Sequence, residues 1–523
     1  MRTHRRFVYP VVILLLCCNL VGCDNLVAPL SSSSRESFAD SSALTEQIEV
    51  TSDAGSMTAS LTGDETVSST QTMKSPSREL TIWANNSDIR ALALVYQEAN
   101  PDVAVTFEYA PDPYYEASIV FPGDIFNAVG TGEVPDVYCV SEDYLKKFVD
   151  DHYFDSLESL RPQTELVQTY PSVLDMGTSS DGILRALSCN VYSGAMFYRR
   201  SLAKEYFGTD DPEEVQKYFC DMDQLLLSAE IIKEKSDGRT LLMNSGADLF
   251  DMFAAAREQP WIIDGRLQIP PSLQELMDIS LQMSNSGFTA SWDHYYVPYS
   301  NNWMATMQDH MNDESYDRPF QVFSYFLPSW GYAWLAAEIN IEYSYHAPVT
   351  TTGDWAAIPG PIPFDGGGET YLGIMQESKN KEEALRFIEF VTLNEQTLAN
   401  IFTGVYTNDY LKRIDPEIEP DLAISGGSMV SSATVMADVM DRADPEIVAF
   451  FGDQNPYEVY DRIAREVRVP YDQKDDWKVE HQFLYMLCYG YPNDGLSKEE
   501  ALRSFYASVK AEYPEIEIPD AGE

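Results

Sequence analysis

An α/β fold is expected for this chain on three observations. Strand-like and helix-like segments alternate from residue 79 onward, the hydrophobic period changes with them, and turn or cap residues stand between them. Leu80-Thr81-Ile82-Trp83 reads as a strand. Asn85-Asn86-Ser87-Asp88 supplies turn and N-cap residues for a helix whose inner side carries Ile89, Leu92, Val95 and Tyr96. Asn100-Pro101-Asp102 stops that helix. Val103, Val105, Phe107 and Tyr109 then alternate with Ala104, Thr106 and Glu108, the period of a strand. This is β-α-β. The alternation continues with a strand ending at Val140 and a helix over 143–149, and the sheet is expected to be mainly parallel.

A second marked unit begins near residue 355. Trp355 to Pro359 reads as a strand running into a Pro/Gly-rich crossing segment, followed by Gly366-Gly367-Gly368 and a strand over Tyr371–Ile374. Asn380, with Glu383 three residues on, is placed to cap a helix lined by Leu385, Ile388 and Val391. Ser497-Lys498-Glu499-Glu500 reads as a capping box opening the last amphipathic helix. No internal repeat interrupts this order.

Residues 1–22 are a targeting segment and not fold material. Arg2, Arg5 and Arg6 precede a short apolar stretch, too short to span a bilayer. Leu20-Val21-Gly22-Cys23 resembles the bacterial lipobox, which makes Cys23 the expected lipidated N-terminus. Residues 23–78 are Ser/Thr-rich and nearly free of aromatics, a composition that cannot offset ordering entropy. As a flexible coil this linker would average roughly 40 Å end to end. Of the seven cysteines, Cys139, Cys189, Cys220 and Cys488 lie beyond it. They show no CxxC or metal-site spacing, and both disulfides and buried free thiols remain open.

With 83 acidic against 35 basic residues, the 523-residue chain carries a formal charge of −48. Such a field repels nucleic acid and anionic lipid, so membrane contact is expected through the lipid alone. At 44% hydrophobic residues the chain can build a large core. No G-x-S-x-G, H-E-x-x-H, Walker A or G-x-G-x-x-G occurs, and no catalytic residue, metal site or cofactor is assigned. A carboxylate pair could hide among so many acids. A carbohydrate-degrading surface lipoprotein is therefore the enzymatic alternative.

Several segments together resemble family 1 of the extracellular solute-binding proteins, the sugar-binding components of bacterial ABC importers. They are Glu79 to Trp83, Asn100-Pro101-Asp102-Val103-Ala104-Val105, and Gly132-Glu133-Val134-Pro135-Asp136-Val137, which matches a G-x-x-P-D-V pattern. Gly353 to Pro359 leads through the glycines to Ser378-Lys379-Asn380-Lys381-Glu382-Glu383-Ala384. The family's G-P-W segment has its best counterpart in Phe326-Leu327-Pro328-Ser329-Trp330, and the match weakens after about 405.

The resemblance implies a two-lobed periplasmic-binding-protein-like fold with a hinge and an interlobe ligand cleft. One lobe takes 79–187 and 360–403, the other 188–359 and 404–523. It further implies a non-enzymatic monomer, held at the extracytoplasmic face, that passes a carbohydrate, an oligosaccharide in particular, to permease subunits by closing on it. A polyamine or peptide ligand, or a sensing role, keeps the same fold.

A sugar offers apolar faces and a rim of hydroxyls, so its site needs flat aromatic surfaces and fixed polar groups at strand ends. Trp83, Asn85 and Asn86 follow the first strand, and Glu142 follows the strand ending at Val140. Tyr192 falls where the resemblance puts an interlobe segment. Trp330, between Pro328-Ser329 and Gly331, is the expected stacking platform, and Asp365 and Tyr371 flank the triple glycine. Core packing, turn formation and helix capping are the competing roles for these residues. Trp292, Trp303 and Trp334 are further aromatic candidates, at least two of the second-lobe tryptophans being expected in core.

Overall fold

The computed structural model describes residues 77–109, 125–290, 320–338, 351–418, 426–469, 471–492 and 495–519, with Pro298, Trp303, Thr306, Met307 and Ile424 between them. The targeting segment, Cys23 and nearly all of the expected linker lie outside the described residues, as does Trp292.

The ordered chain opens with β1 (Arg78–Ala84), α1 (Ser87–Ala99) and β2 (Val103–Tyr109). Asn86 caps α1 by accepting the Asp88 N–H at 2.7 Å, and the helix buries Ile89, Leu92, Val95 and Tyr96. β3 (Val137–Ser141) runs directly into α2 (Glu142–Asp150). Next come α3 (Pro171–Gly177), β4 (Ala186–Ser188), β5 (Ser193–Arg199) and α4 (Phe250–Ala255). The chain continues through β6 (Ser324–Pro328), α5 (Gly331–Glu338), β7 (Trp355–Ile358), β8 (Phe364–Asp365) and β9 (Thr370–Ile374). α6 (Lys381–Thr392), α7 (Pro456–Ala464) and α8 (Lys498–Glu512) complete the elements used below.

Two sheets organise these elements. The first has the order β2-β1-β3-β9-β4. Its β1–β2 and β1–β3 pairs are parallel, whereas β9 runs antiparallel to both β3 and β4. In the second sheet β6, β7 and β8 all pair antiparallel with β5. The expectation of a mainly parallel sheet is thus corrected. A parallel neighbour needs a crossover of about a dozen residues or more. Only residues 366–369 separate β8 from β9, so β9 enters the first sheet at the end where β3 leaves it.

β5 is buried along its whole length and serves two cores. Phe197 packs on Phe451 and Tyr460, with ring centroids 5.6 and 6.2 Å apart. On the opposite side Tyr198 stacks on Phe323 at 6.0 Å. One apolar cluster extends from the first sheet to the Phe197 side of β5, and a second gathers on the Tyr198 side. The four cysteines of the folded region are free thiols: Cys139, Cys189 and Cys488 are buried and Cys220 is exposed.

The capping box at Ser497 and Glu500 forms as expected. The one expected at Asn380 does not. Asn380 stands at the N-cap position of α6 but makes no side-chain cap bond. Its Nδ2 donates to Asp136 Oδ2 at 3.2 Å instead. Glu383 turns to β1 and α1, accepting from Arg78 Nη1 and Tyr96 Oη, both at 2.5 Å, and from Arg386 Nη1 of its own helix at 2.9 Å. Asn380 is held by its donor end and Glu383 by two arginines and a tyrosine, so neither closes the capping box.

Two buried carboxyls away from the crossing segments contribute to a pH dependence. Burial raises Asp248, which accepts from Trp303 Nε1 at 3.0 Å, to about 7, and raises Asp476, beside Arg257, to about 7. The folded state therefore binds protons that the unfolded chain, with ordinary Asp values near 3.9, has released. Their contribution to stability falls as pH rises from about 4 to 7 and is level above that. Urea midpoints at pH 5 and 7.5 should show the protein more stable at pH 5. Asp248→Asn should narrow the gap, and an equal gap in that variant would remove Asp248 from the cause.

Candidate functional site

The two sheets are joined where β4 leads into β5 and where β8 leads into β9. Residues 189–192 make the first crossing and residues 366–369 the second. A third stretch lies alongside: Asn190 bridges Val430 antiparallel, the Val191 N–H donates to Met429 O, and the Ser431 N–H donates to Cys189 O. The candidate site is built on these crossings.

Strand register decides which side chains meet there. Thr370 pairs with Ser141, which brings Glu369 beside Glu142, and the Glu142 N–H donates to Glu369 O at 3.1 Å. On the other sheet Asp365 pairs with Ser193, and Pro328 with Gly194. Tyr192 and the Pro328-Ser329-Trp330 turn are therefore carried to the same glycine loop. The Gly366 N–H donates to Tyr192 O at 2.6 Å.

The loop is cradled by the side chains around it. Trp330 Nε1 donates to Gly367 O at 2.9 Å, the Gly368 N–H to Glu142 Oε1 at 2.9 Å, and the Gly367 N–H to Asp365 Oδ1 at 3.2 Å. The Tyr192 N–H donates to Glu369 Oε1 at 2.6 Å. A Cβ at Gly368 would sit 3.0 Å from Trp330 Nε1 and 3.7 Å from Tyr192 Cδ2. Gly367 and Gly368 both hold positive φ, +69° and +103°, a conformation side chains disfavour. Glycine is needed here for backbone conformation and for space.

The charge of the site is one-sided. Burial drives the Glu142 carboxyl well above its ordinary range, and Glu369 and Asp365 add to it. Asp365 is raised to about 8 by burial and then by Glu369, while Ser172 on α3 and the Gly367 N–H oppose the shift. Asp88, at the start of α1, is raised to about 7 by burial. Burial also pushes the Tyr192 and Tyr371 hydroxyls upward, with Glu369 among the charges contributing. Among the described residues no lysine or arginine pairs with Glu142, Asp365 or Glu369.

Of the eight residues singled out in the sequence, Glu142, Tyr192, Trp330 and Asp365 converge on the 366–369 crossing. Tyr371 lies one turn of register away, paired with Val140 and fully buried. Asn86 reaches the same area, its Nδ2 donating to Thr370 Oγ1 at 3.2 Å while its Oδ1 caps α1. Asn85 is buried beside it. Trp83 packs in the first core, its Nε1 buried with no hydrogen-bond partner among the described residues. Trp303 is core as well, donating to Asp248.

Glu369 was missed. Its signal was an acid set directly between three glycines and a buried strand, a place where a solvated side chain is hard to accommodate. Asp251, on α4, was missed too; its charge reaches Asp365. A separate depression of about 500 Å³, lined by Tyr96, Leu166, Phe390 and neighbours, holds none of the eight residues.

Among the described residues no helix is long and apolar enough to cross a membrane. Comparison with known proteins agrees with the two-sheet architecture. A structure of an extracellular solute-binding protein of family 1 is similar with a TM-score of 0.61 at 16% identity, covering 83% of this chain and all of that one. The sugar-binding protein MalE from Xanthomonas citri is similar with a TM-score of 0.58 at 14% identity, over 83% of this chain and 96% of its own. The galacto-N-biose/lacto-N-biose I-binding protein of the ABC transporter from Bifidobacterium longum follows with 0.54 at 13% identity, over 85% and 100%. These likenesses carry the two-lobed fold. No curated protein sequence matches the chain. The family profile for the bacterial extracellular solute-binding proteins matches residues 83–398, more than half of the chain. The alternating order of the first lobe, the crossing segments and that match agree, and the chain belongs to the bacterial extracellular solute-binding proteins, which serve ABC transporters outside the cytoplasm.

Proposed function

We propose that the protein captures a carbohydrate, an oligosaccharide in particular, in the cleft over the crossing segments and delivers it to ABC importer permease subunits. Convergence of Tyr192 and Trp330 with the Glu142 and Asp365 carboxylates on one glycine crossing carries this reading. It is the mixture of flat apolar faces and fixed acceptors that a sugar requires. The sugar-binding neighbours support the same class.

In this reading the lobes comprise 79–187 with 360–403 and 188–359 with 404–523. The pairing of Phe364-Asp365 with β5 favours moving the second boundary to residue 366. Bending at the crossings would close the lobes on the solute, and a closed, loaded form would be what the permease receives. Cys23 would hold the monomer to the membrane through lipid, with the residues from 24 to 76 as its tether; Ser77 and Arg78, assigned to the linker from sequence, already belong to the folded unit through Asp102. No step of this cycle uses a catalytic residue or breaks a bond in the solute.

A thermal-shift screen of the protein against oligosaccharides, spermidine and short peptides tests the solute class. A native-state ligand at 100 times its dissociation constant adds about 2.7 kcal/mol, enough for a visible shift. A response to peptides or spermidine alone would overturn the sugar. Trp330→Ala should weaken the sugar found by the screen by more than about 1.4 kcal/mol, tenfold in affinity. Calorimetric titration giving an unchanged affinity in a folded variant would remove Trp330 from the site.

A further inference from the structure

Glu142, Asp365 and Glu369 present an electrostatic problem that the sugar reading leaves unsolved. One oxygen from each lies within 4.8 Å of the others. Each carboxyl already takes a backbone N–H: Gly368 on Glu142 Oε1, Gly367 on Asp365 Oδ1 and Tyr192 on Glu369 Oε1. These bonds fix the orientation of all three groups. They supply no cation. Glu369 is 2% exposed, and its Oε2 is buried without any hydrogen-bond partner among the described residues. The Glu142 carboxyl lies within hydrogen-bond reach of the Glu369 side chain, so this buried pair needs either a shared proton or a cation between its oxygens.

We propose that Glu142, Asp365 and Glu369 bind a divalent cation of the calcium class at the second crossing between the lobes. The donor set is oxygen only, as a hard cation prefers, with no histidine or cysteine among it. Calcium–oxygen distances of about 2.3–2.6 Å place opposed ligand oxygens up to about 5 Å apart, which the observed spacing satisfies. Calcium takes six to eight oxygens, so three carboxylates leave positions for water or for solute hydroxyls. Glu142 and Asp365 are only partly buried, which keeps the ion within reach of the cleft. A single ligand ammonium would bring one positive charge against three carboxyls. A divalent ion offsets twice that, and its compact charge suits the spacing. Glu142 opens α2, and Asp365 and Glu369 bracket the crossing, so the ion would tie the first lobe to the segment that bends.

Equilibrium dialysis of the full chain with ⁴⁵Ca²⁺ in 0.15 M KCl tests the site, with Tb³⁺ luminescence excited through Trp and Tyr as a second readout. The expected result is one saturable equivalent in the wild type, weakened at least tenfold by both Glu369→Gln and Asp365→Asn. Circular dichroism establishes that each variant is folded. Asp365→Asn, at the more open position, keeps the test decisive if Glu369→Gln does not fold. No saturable equivalent would overturn the proposal. So would an equivalent held equally by both variants, which would place the ion elsewhere on a strongly acidic surface. Spermidine bound by the wild type and lost in the variants, with Ca²⁺ not bound, would assign the carboxylates to an ammonium instead. The outcome is independent of the sugar screen.

Discussion

Replacing Gly366 by alanine should weaken solute binding at least tenfold and cost about 1–3 kcal/mol of stability, the usual range for overpacking. An added Cβ would lie 2.5 Å from Pro328 Cβ, 2.6 Å from Pro328 Cα and 2.6 Å from Tyr192 O. Two of those three atoms are backbone, so no rotamer change relieves the contact. The loop must lift off the end of β6, off Tyr192, or off both. Lifting would break the 2.6 Å bond from the Gly366 N–H to Tyr192 O. It would also move Gly367 O away from Trp330 Nε1 and shift Asp365 and Glu369 relative to Glu142. Stability from urea denaturation and affinity from calorimetry separate the two effects. A variant with wild-type values of both would show that the crossing is looser than its contacts imply.

This sensitivity follows from where the site is made. A lone sheet edge or helix end can absorb a displaced methyl group by fraying. The 366–369 crossing is held from both sides, by β5 through Asp365–Ser193 and by β3 through Thr370–Ser141. Four residues, three glycines and Glu369, must span between two fixed registers while setting Glu369 beside Glu142 and the glycines against Trp330 and Tyr192. The same restraint couples the two sides: a displacement at Gly366 reaches Trp330 beyond β6 and Glu142 at the start of α2.

How much of this could be read in the sequence depended on whether the controlling contact was local. β1, α1 and β2 were legible almost residue by residue, because Leu80, Ile82, the Asn86 cap and the Ile89–Tyr96 stripe act over a few positions. The strand at Thr370–Ile374 and the capping box at Ser497 were legible for the same reason. Strand direction was not, since the antiparallel entry of β9 is set by the short crossing between sheets and not by β9 itself. Glu142 and Asp365 were marked by their places beside a strand end and a glycine run. Their partner Glu369 was invisible as a partner, because it meets Glu142 only through the Thr370–Ser141 register. Asn380 misled for a related reason. Its local sequence offers a helix cap, which needs the side-chain oxygen to accept, while the fold engages the other end of the amide, Nδ2 donating to the buried Asp136 carboxylate.

Asp136→Asn should destabilise the protein by about 3 kcal/mol, among the largest effects open to a change of one atom. Asp136 belongs to the Gly132–Val137 segment and is 5% exposed. Its Oδ1 accepts from Ser378 Oγ at 2.6 Å and from the Asn380 N–H at 3.3 Å. Its Oδ2 accepts from the Thr81 N–H at 2.9 Å and from Asn380 Nδ2 at 3.2 Å. Four donors surround two oxygens, so an amide in place of the carboxylate must aim an NH₂ at donors whichever way it flips. Hydrogen bonds to a charged group contribute about 1.5–3 kcal/mol each, and a buried donor left unpaired costs about 1–3 kcal/mol. Ser378→Ala, which removes one donor and leaves the other three, should cost no more than about 1.5 kcal/mol. Urea denaturation of the two variants makes the comparison, and a loss below about 1 kcal/mol for Asp136→Asn would show that the cluster is not a structural tie. The backbone of the same residue donates to Thr81 O and accepts from the Met375 N–H, so main chain and side chain together clamp β1, the start of β3 and the end of β9. β9 begins at Thr370, directly after Glu369, at its other end. A chain that loses this clamp should therefore lose solute affinity as well, although Asp136 itself touches no part of the cleft cluster.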